Sequence, residues 1–505
     1  MMPEQIKQLD DIESDVIVIG YGGAGAVAAI AAHDAGAKVT IMEKMPSGGG
    51  ATFLASGGIL IPTDLEFSQY LEAICFNTTP TDVIETFVKE AMNIENYIHE
   101  IGGESERWVS QEIGTSFPPL SRPSWPNIPH GKSMVRCHIK APDEDHSGLD
   151  KLTMPERVRA IGRPYGPDLW RLLSRNVEKR EIKILFNTRA KELVQTESGE
   201  VIGVIAERQG RRLLLRANRA VILTTGGFGA SESLKKTFLP CPFCYAGLSF
   251  ASGDGIVMAQ KAGAALWHTL GVVGQLGFKA PEFEAAFQPR AASERFIFVD
   301  RLGRRFTNET AEKLHNAWRV TSLFDPERLT YPRIPCYMIF DEVTMKKAPI
   351  SRDWRPHNDH QWSLDNLDEL ARGWIKKGNT LGELARQLSM EKAVLENTII
   401  RFNEYCMKGT DADFGRARDS MGPIDKPPYY ALELRPMLIS TQGGPAHDKE
   451  SRVLDNDGKP IPRLYAAGEL SSLFGWLYEA GGGHAECLVF GKIAGRNAAN
   501  EKPLA

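Results

Sequence analysis

The segment Asp15–Lys44 leaves this chain few choices of fold. Asp15–Gly20 reads DVIVIG, a continuous run of the kind that is buried on both faces of a parallel sheet. It leads into Gly20-x-Gly22-x-x-Gly25, with Gly23 and Ala24 inside the turn, and then into the alanine-rich AVAAIAAHDAGA. A second strand-like run, KVTIMEK, brings Glu43 and Lys44 about twenty residues past the glycines. The first glycine permits the tight turn, the second lets backbone approach a pyrophosphate, and the third lets helix and strand close together. The acid reaches the ribose hydroxyls. These residues imply a Rossmann-type α/β domain that binds a dinucleotide.

A second run of small residues, PSGGGATFLASGGIL at Pro46–Leu60, points to a flavin. A nicotinamide enzyme has no use for it. Backbone passing beneath a ribityl chain and isoalloxazine does, so Gly49, Gly50, Ala51, Thr52, Ser56, Gly57 and Gly58 are expected at FAD. Residues 64–150 begin with helical periodicity and pass into the Pro- and aromatic-rich SFPPLSRPSWPNIPHGK, a candidate pocket entrance. His130, His138 and His146 lack ligand-like spacing and are expected in loops or at the surface. His357 and His360 have metal-like spacing, but no further ligand cluster accompanies them, so no metal is expected.

From Lys183 the pattern becomes that of a β-meander, closing on VILTTGG with Thr225, Gly226 and Gly227. SGDGIVMAQKAGAA then sets Gly253 and Asp254 at the start of a helix. Residues 271–430 change in character and are expected to form an inserted α+β capping domain. The FAD-binding domain is then discontinuous, 1–270 and 431–505. Its last part carries a strand, LYAAG, that ends at Gly468 and Glu469. The triplet Gly481-Gly482-Gly483 follows and opens a helix bearing His484, Cys487 and Leu488. Tyr478 precedes the triplet, where a helix N-terminus favours developing negative charge.

A formal net charge of −4 over 505 residues makes no electrostatic case for nucleic acid. Seven cysteines without framework spacing suit a reducing compartment, and Cys241-x-x-Cys244 stands alone. The opening MMPEQIKQLDDIESD lacks a basic and apolar leader, and no apolar run is long enough to span a membrane. A cytoplasmic protein is expected.

The motifs DVIVIGYGGAGAVAAIAA, SGGGATFLASGGI, AVILTTGGFG, SGDGIVMAQKAGA, FVDRLGRRFTNE, STQGG and LYAAGE…VFGKIAGRNAA occur in the order seen in the fumarate reductase/succinate dehydrogenase flavoprotein superfamily. The chain resembles that superfamily over nearly its whole length. The resemblance implies FAD, a cap over the flavin, and hydride transfer between flavin and an activated carbon. Members with covalent flavin use a histidine near the second glycine run; Pro46–Leu60 has none, which implies noncovalent FAD.

Three departures from the dicarboxylate reducers bear on the substrate. Their proton-donating arginine falls at Lys313, their carboxylate-binding arginine at Tyr478, thirteen residues before Gly491, and their HTMGG histidine at Ser440. Tyr and Ser cannot supply the bidentate forks that grip two carboxylates. The pattern instead resembles the 3-ketosteroid dehydrogenases, in which a tyrosine and a glycine N–H hold a substrate ketone; Tyr478 and Gly482 match them. The implied reaction removes an α-proton and sends a β-hydride to flavin N5. The family's base is a tyrosine at the position of Lys313, so either Lys313 or His315 is the candidate here. Alternatively Lys313 or Arg319 holds a substrate carboxylate.

The expected function is an FAD-dependent desaturase of a small-molecule cyclic ketone, of 3-ketosteroid or 4-oxocyclohexanecarboxylate type. The other readings are an ene-reductase acting on an unsaturated acid and a noncatalytic electron-transfer subunit. The latter is disfavoured by the absence of Fe–S or haem motifs. A quinone, oxygen or a redox protein could each serve as electron acceptor.

Overall fold

The computed structural model describes residues 10–107, 123–125, 127–140, 166–247, 249–291, 293–310, 315–351 and 360–504. An eight-stranded sheet forms its base. Asp10–Ile19 lies centrally, parallel to Val39–Met42 on one side and to Arg211–Leu223 on the other. Lys183–Leu185 extends one edge in parallel with Val39–Met42, and Pro460–Ala466 joins Arg211–Leu223 on the other flank. The expected meander is present: Thr188–Gln195, Val201–Arg208 and Arg211–Leu223 pair antiparallel in sequence.

Alternation along the first strand divides the apolar core between the two faces of this sheet. Val16 and Val18 join one cluster, with Val27, Ile30 and Phe490, whereas Ile17 and Ile19 join another, with Val221, Phe228 and Leu464. The helix Gly23–Asp34 is closely opposed by the last helix, Gly482–Asn500. Glycines make this approach possible. A Cβ on Gly491 would stand 2.9 Å from the Ala24 carbonyl oxygen, and one on Gly495 only 2.2 Å from that of Ala28. The N-termini of both helices therefore reach the same region above the sheet.

A second sheet, of six strands, is built around the long strand Tyr429–Thr441. Its first half pairs with Cys336–Asp341 and Ile375–Gly378, and its second half with Val272–Gly277. The sheet also takes in Cys244–Tyr245, so its members reach to either side of the 271–430 segment. Trp362 and Trp374 are buried in an aromatic cluster with Phe278 and Phe287. Tyr429–Thr441 thus begins in the second sheet and delivers Ser440, Thr441 and Gln442 to its junction with the base sheet.

Several expectations outside the site are corrected. His138 is not at the surface: it is buried in the strand Met134–Ile139, with Nε2 3.5 Å from Glu106. His130 does lie in a turn, and His146 and His357 fall outside the described residues. His360 is joined to the buried carboxylate of Glu369 at 2.8 Å. Burial pushes the thiols of Cys241 and Cys244 up to about 12. No helix among the described residues is long and apolar enough to cross a membrane.

Candidate active site

A cavity of about 600 Å³ runs between the two sheets, from the first glycine turn to Tyr478. At one end lie Gly20, Gly22, Gly23 and Ala24 with Glu43 and Lys44. Along the middle come Gly50, Ala51, Thr52, Ser56, Gly58, Thr225, Gly226, Gly227 and Asp254. At the other end lie Glu469, His484, Cys487, His315 and Tyr478.

The dinucleotide end carries its chemistry in the backbone. The Glu43 carboxylate is held by the N–H groups of Tyr21 and Met45, each at 2.8 Å, and so is fixed at the strand end where ribose hydroxyls would reach it. A Cβ built on Gly22 meets nothing nearer than the Gly49 oxygen at 3.8 Å, so that position opens onto the cavity. A Cβ on Gly25 would be 2.0 Å from the Gly20 oxygen, so this glycine serves helix–strand packing instead. Asp254 pairs with Lys44 at 3.2 Å and Arg189 at 2.7 Å, and these two cations hold its carboxyl below the usual range despite burial.

Six expected cofactor residues do not line the cavity: Gly25, Gly49, Gly57, Gly253, Gly468 and Leu488. Five are glycines that shape the chain beneath the lining. Gly253, for example, starts the helix Asp254–Lys261 in the left-handed region, and a Cβ on Gly468 would stand 2.8 Å from Ala24 Cβ. Leu488 is turned into the core.

At the far end, the Tyr478 hydroxyl accepts the Gly483 N–H at 2.9 Å. An oxygen that accepts in this way keeps its own O–H to donate elsewhere. Burial pushes the phenol well above its ordinary value, so it remains protonated. The His315 ring stands against the Tyr478 ring, centroids 5.4 Å apart. Gly482 departs from expectation: its N–H is engaged by the Glu479 carbonyl at 3.0 Å, and it does not line the cavity, whereas Gly481 and Gly483 do. Lys313 lies outside the described residues. Arg319 does not line the cavity; its guanidinium sits over Trp318 and Trp476, at 4.6 and 4.9 Å from the ring centres.

Beneath Tyr478 lies a buried ion pair between Arg136 and Glu479, 2% and 0% exposed. Glu479 also accepts from Tyr70 Oη and from the N–H and hydroxyl of Ser124, and Arg136 Nε donates to the Ala480 carbonyl at 2.7 Å. The pair therefore fixes the backbone on the C-terminal side of Tyr478. Two neighbouring carboxyls belong to the cavity wall, Glu486 buried and Glu469 half-buried. Burial pushes Glu469 up to about 7 although Thr441 donates to it twice, and Glu486 up to about 8 although it accepts from Leu473 N–H at 2.6 Å and Ser472 Oγ at 2.9 Å. The His484 Nδ1 faces the Gly58 carbonyl at 2.9 Å; a carbonyl only accepts, so this nitrogen carries the proton. Burial lowers its basicity and keeps the ring neutral.

Sequence reasoning missed Arg136, Gln275, Gln288, Arg290 and Glu486. For two of these there was a signal: Arg136 interrupts the strand MVRCHI and Gln275 the strand VVGQLG, and a polar group inside an apolar strand needs a partner or a ligand.

The FAD binding domain family matches residues 15–484. The chain belongs to that family. It is an FAD-dependent oxidoreductase, related both to steroid dehydrogenases and to ene-reductases that act on carbon–carbon bonds. It is 28% identical to 3-oxosteroid 1-dehydrogenase of Mycolicibacterium smegmatis, covering 95% of this chain and 96% of that protein. It is also 28% identical to urocanate reductase of Eggerthella lenta, covering 96% and 74%. Among solved structures, 3-ketosteroid Δ1-dehydrogenase from Sterolibacterium denitrificans matches with a TM-score of 0.83 over 96% of this chain and 99% of that one, at 22% identity. The flavoenzyme's cavity suits FAD: an open glycine turn, a fixed carboxylate beyond it, and a long trough leading to Tyr478.

Proposed function

We propose that this flavoenzyme desaturates a cyclic ketone at the α,β-carbons, with Tyr478 as the hydrogen-bond donor to the ketone oxygen. The observation that carries the proposal is the Tyr478 hydroxyl, which accepts from Gly483 and therefore has its proton left to give. Bound FAD supplies the hydride acceptor. The protein does the rest. Tyr478 polarises the carbonyl, and the bond strengthens as enolate charge grows on the oxygen. His315, beside Tyr478 on the cavity wall, takes the α-proton at its ring. The Arg136–Glu479 pair keeps Tyr478 in register.

A second reading, reduction of an α,β-unsaturated acid, has the support of the urocanate reductase relative at the same 28% identity. Anaerobic mixing separates the two: a saturated cyclic ketone bleaches the flavin in the desaturase, whereas an enoate reoxidises reduced flavin in the reductase.

A further inference from the structure

The protonation state of Glu486 is decided by hydrogen-bond geometry on the cavity wall. Ser472 is fully buried, and its hydroxyl stands between two oxygens, Gln442 Oε1 at 2.5 Å and Glu486 Oε2 at 2.9 Å. A hydroxyl has one proton and can donate to only one of them. Turning the Gln442 amide round does not supply another. Its Nε2 donates to the Thr441 carbonyl at 2.8 Å and to Ser440 Oγ at 3.3 Å, and the turned amide would set Oε1 against that carbonyl, two acceptors in contact. Ser472 therefore donates to Gln442, and the proton between Ser472 and Glu486 belongs to Glu486. The other carboxyl oxygen, Oε1, accepts the Leu473 N–H at 2.6 Å, and Ser472 Oγ also accepts the Phe474 N–H at 3.2 Å.

The charges around it agree. Glu469, Tyr478, Cys487 and Cys75 face Glu486, and none of them is a cation that would hold it ionised. His268 meets the Ser472 carbonyl through Nδ1 at 2.8 Å, and burial lowers its basicity. The hydrogen bonds then run one way, from Glu486 to Ser472, from Ser472 to Gln442 and from Gln442 to Ser440. Ser440 Oγ accepts from Gln442, and its own proton meets no acceptor among the described residues. Glu486, Gln442 and Ser440 all line the cavity. Ser440 is paired with Val273, and the adjoining Gly274 N–H donates to the His315 carbonyl at 2.8 Å, so the series ends near the His315–Tyr478 contact. The second donor expected of Gly482 at that end is spent on the Glu479 carbonyl.

We infer that Glu486 is a positioning residue: as a neutral carboxylic acid it donates to Ser472, and through Gln442 it sets the Ser440 hydroxyl as a hydrogen-bond donor to a substrate oxygen. The donation to substrate rests on the ketone reading of the site; the proton on Glu486 does not. The neutral acid serves this site in two ways. It aims a donor into the cavity, and it keeps a negative charge away from the place where enolate charge would grow. An ionised Glu486 would take the Ser472 proton for itself and leave Gln442 Oε1 without a donor.

The test has two readouts on oxidised holoenzyme. The first is the infrared difference spectrum between wild type and Glu486→Gln at pH 7, which should show the carbonyl stretch of a protonated carboxyl in the wild type alone. Its absence overturns the inference. The second is a titration with phenol, followed by the flavin absorption spectrum; phenol offers an oxygen to the donors and has no saturated carbon to desaturate. Ser440→Ala and Ser472→Ala should each weaken phenol on the order of tenfold, and the double variant little further, because both act through one bond. Glu486→Gln should stay within about threefold of wild type at pH 7, since an amide can also donate to Ser472 and accept from Leu473. Wild-type affinity should fall as pH passes about 8, where Glu486 ionises, and that of Glu486→Gln should not. Phenol that fails to bind, or that binds Ser440→Ala as tightly as wild type, overturns the donor role. If Ser472→Ala does not fold, Ser440→Ala and the infrared band still decide. Failure of the desaturase reading looks different: no saturated ketone reduces the flavin, while the Glu486 band remains.

Discussion

The rings of His315 and Tyr478 meet edge-on, with their planes at 89° and centroids 5.4 Å apart. One residue precedes the short helix Ala317–Thr321 and the other lies in the loop before the last helix, Gly482–Asn500, so the contact joins two distant parts of the chain at one end of the cavity. In the proposed reaction this contact sets a base and a carbonyl-polarising donor beside one substrate.

If His315 takes the α-proton, His315→Asn slows flavin reduction by a saturated ketone on the order of 10²–10⁴-fold, the usual size of general-base catalysis. The flavin spectrum and content stay normal. Lys313→Ala is the comparison. Loss of the rate in that variant, with His315→Asn near wild type, assigns the base to the lysine.

Glu479→Gln leaves Arg136 charged and without its carboxylate in a buried place. Breaking such a pair typically costs on the order of 3–5 kcal/mol. Urea unfolding of holoenzyme should show this loss, together with slower flavin reduction because Tyr478 is the adjacent residue. Unchanged stability shows that the pair does not hold the loop.

Much of this site could be read from the chain, and the parts that could not share a physical cause. Gly20, Gly22 and Gly23 of the glycine turn, Glu43, the hydroxyls of the second small-residue run and Tyr478 are fixed by local backbone chemistry, and all line the cavity. An N–H in a glycine triplet can serve its own turn as well as a ligand, and that of Gly482 is taken by the Glu479 carbonyl. Arg136 and Glu479 lie 343 residues apart, and Gln275 comes to the cavity beside a second extended segment that pairs with its own at Phe278 and Phe287. No local pattern encodes such pairings. His138 shows the same limit, since only the strand Ser105–Arg107 laid beside its own strand buries it.

FAD should be noncovalent. Trichloroacetic acid should release it to the supernatant, because no histidine lies in Pro46–Leu60. Flavin retained in the precipitate contradicts this. Gly22→Val places a branched side chain into the open face of the turn, where a Cβ has no protein neighbour closer than 3.8 Å, and should yield protein lacking flavin.

Glu486 predicts a pH dependence. Its carboxyl is pushed from an ordinary 4.5 up to about 8 by burial, so between these values the folded protein holds a proton that the unfolded chain has released. Stability then falls as pH rises through this window and levels off above it. Thermal melts of Glu486→Gln from pH 5 to 9 should show a shallower decline than those of the wild-type protein. Parallel curves show that Glu486 is already ionised.

Tyr478→Phe tests the central claim most directly. Stopped-flow reduction of the flavin by a saturated cyclic ketone, without oxygen, should slow on the order of 10²–10³-fold, the usual effect of losing one donor to a developing oxyanion. Ketone binding should weaken far less, and the melting temperature should stay close to that of the wild-type protein. Near-normal flavin reduction with a lowered melting temperature would make Tyr478 a packing residue and contradict the ketone-desaturase account.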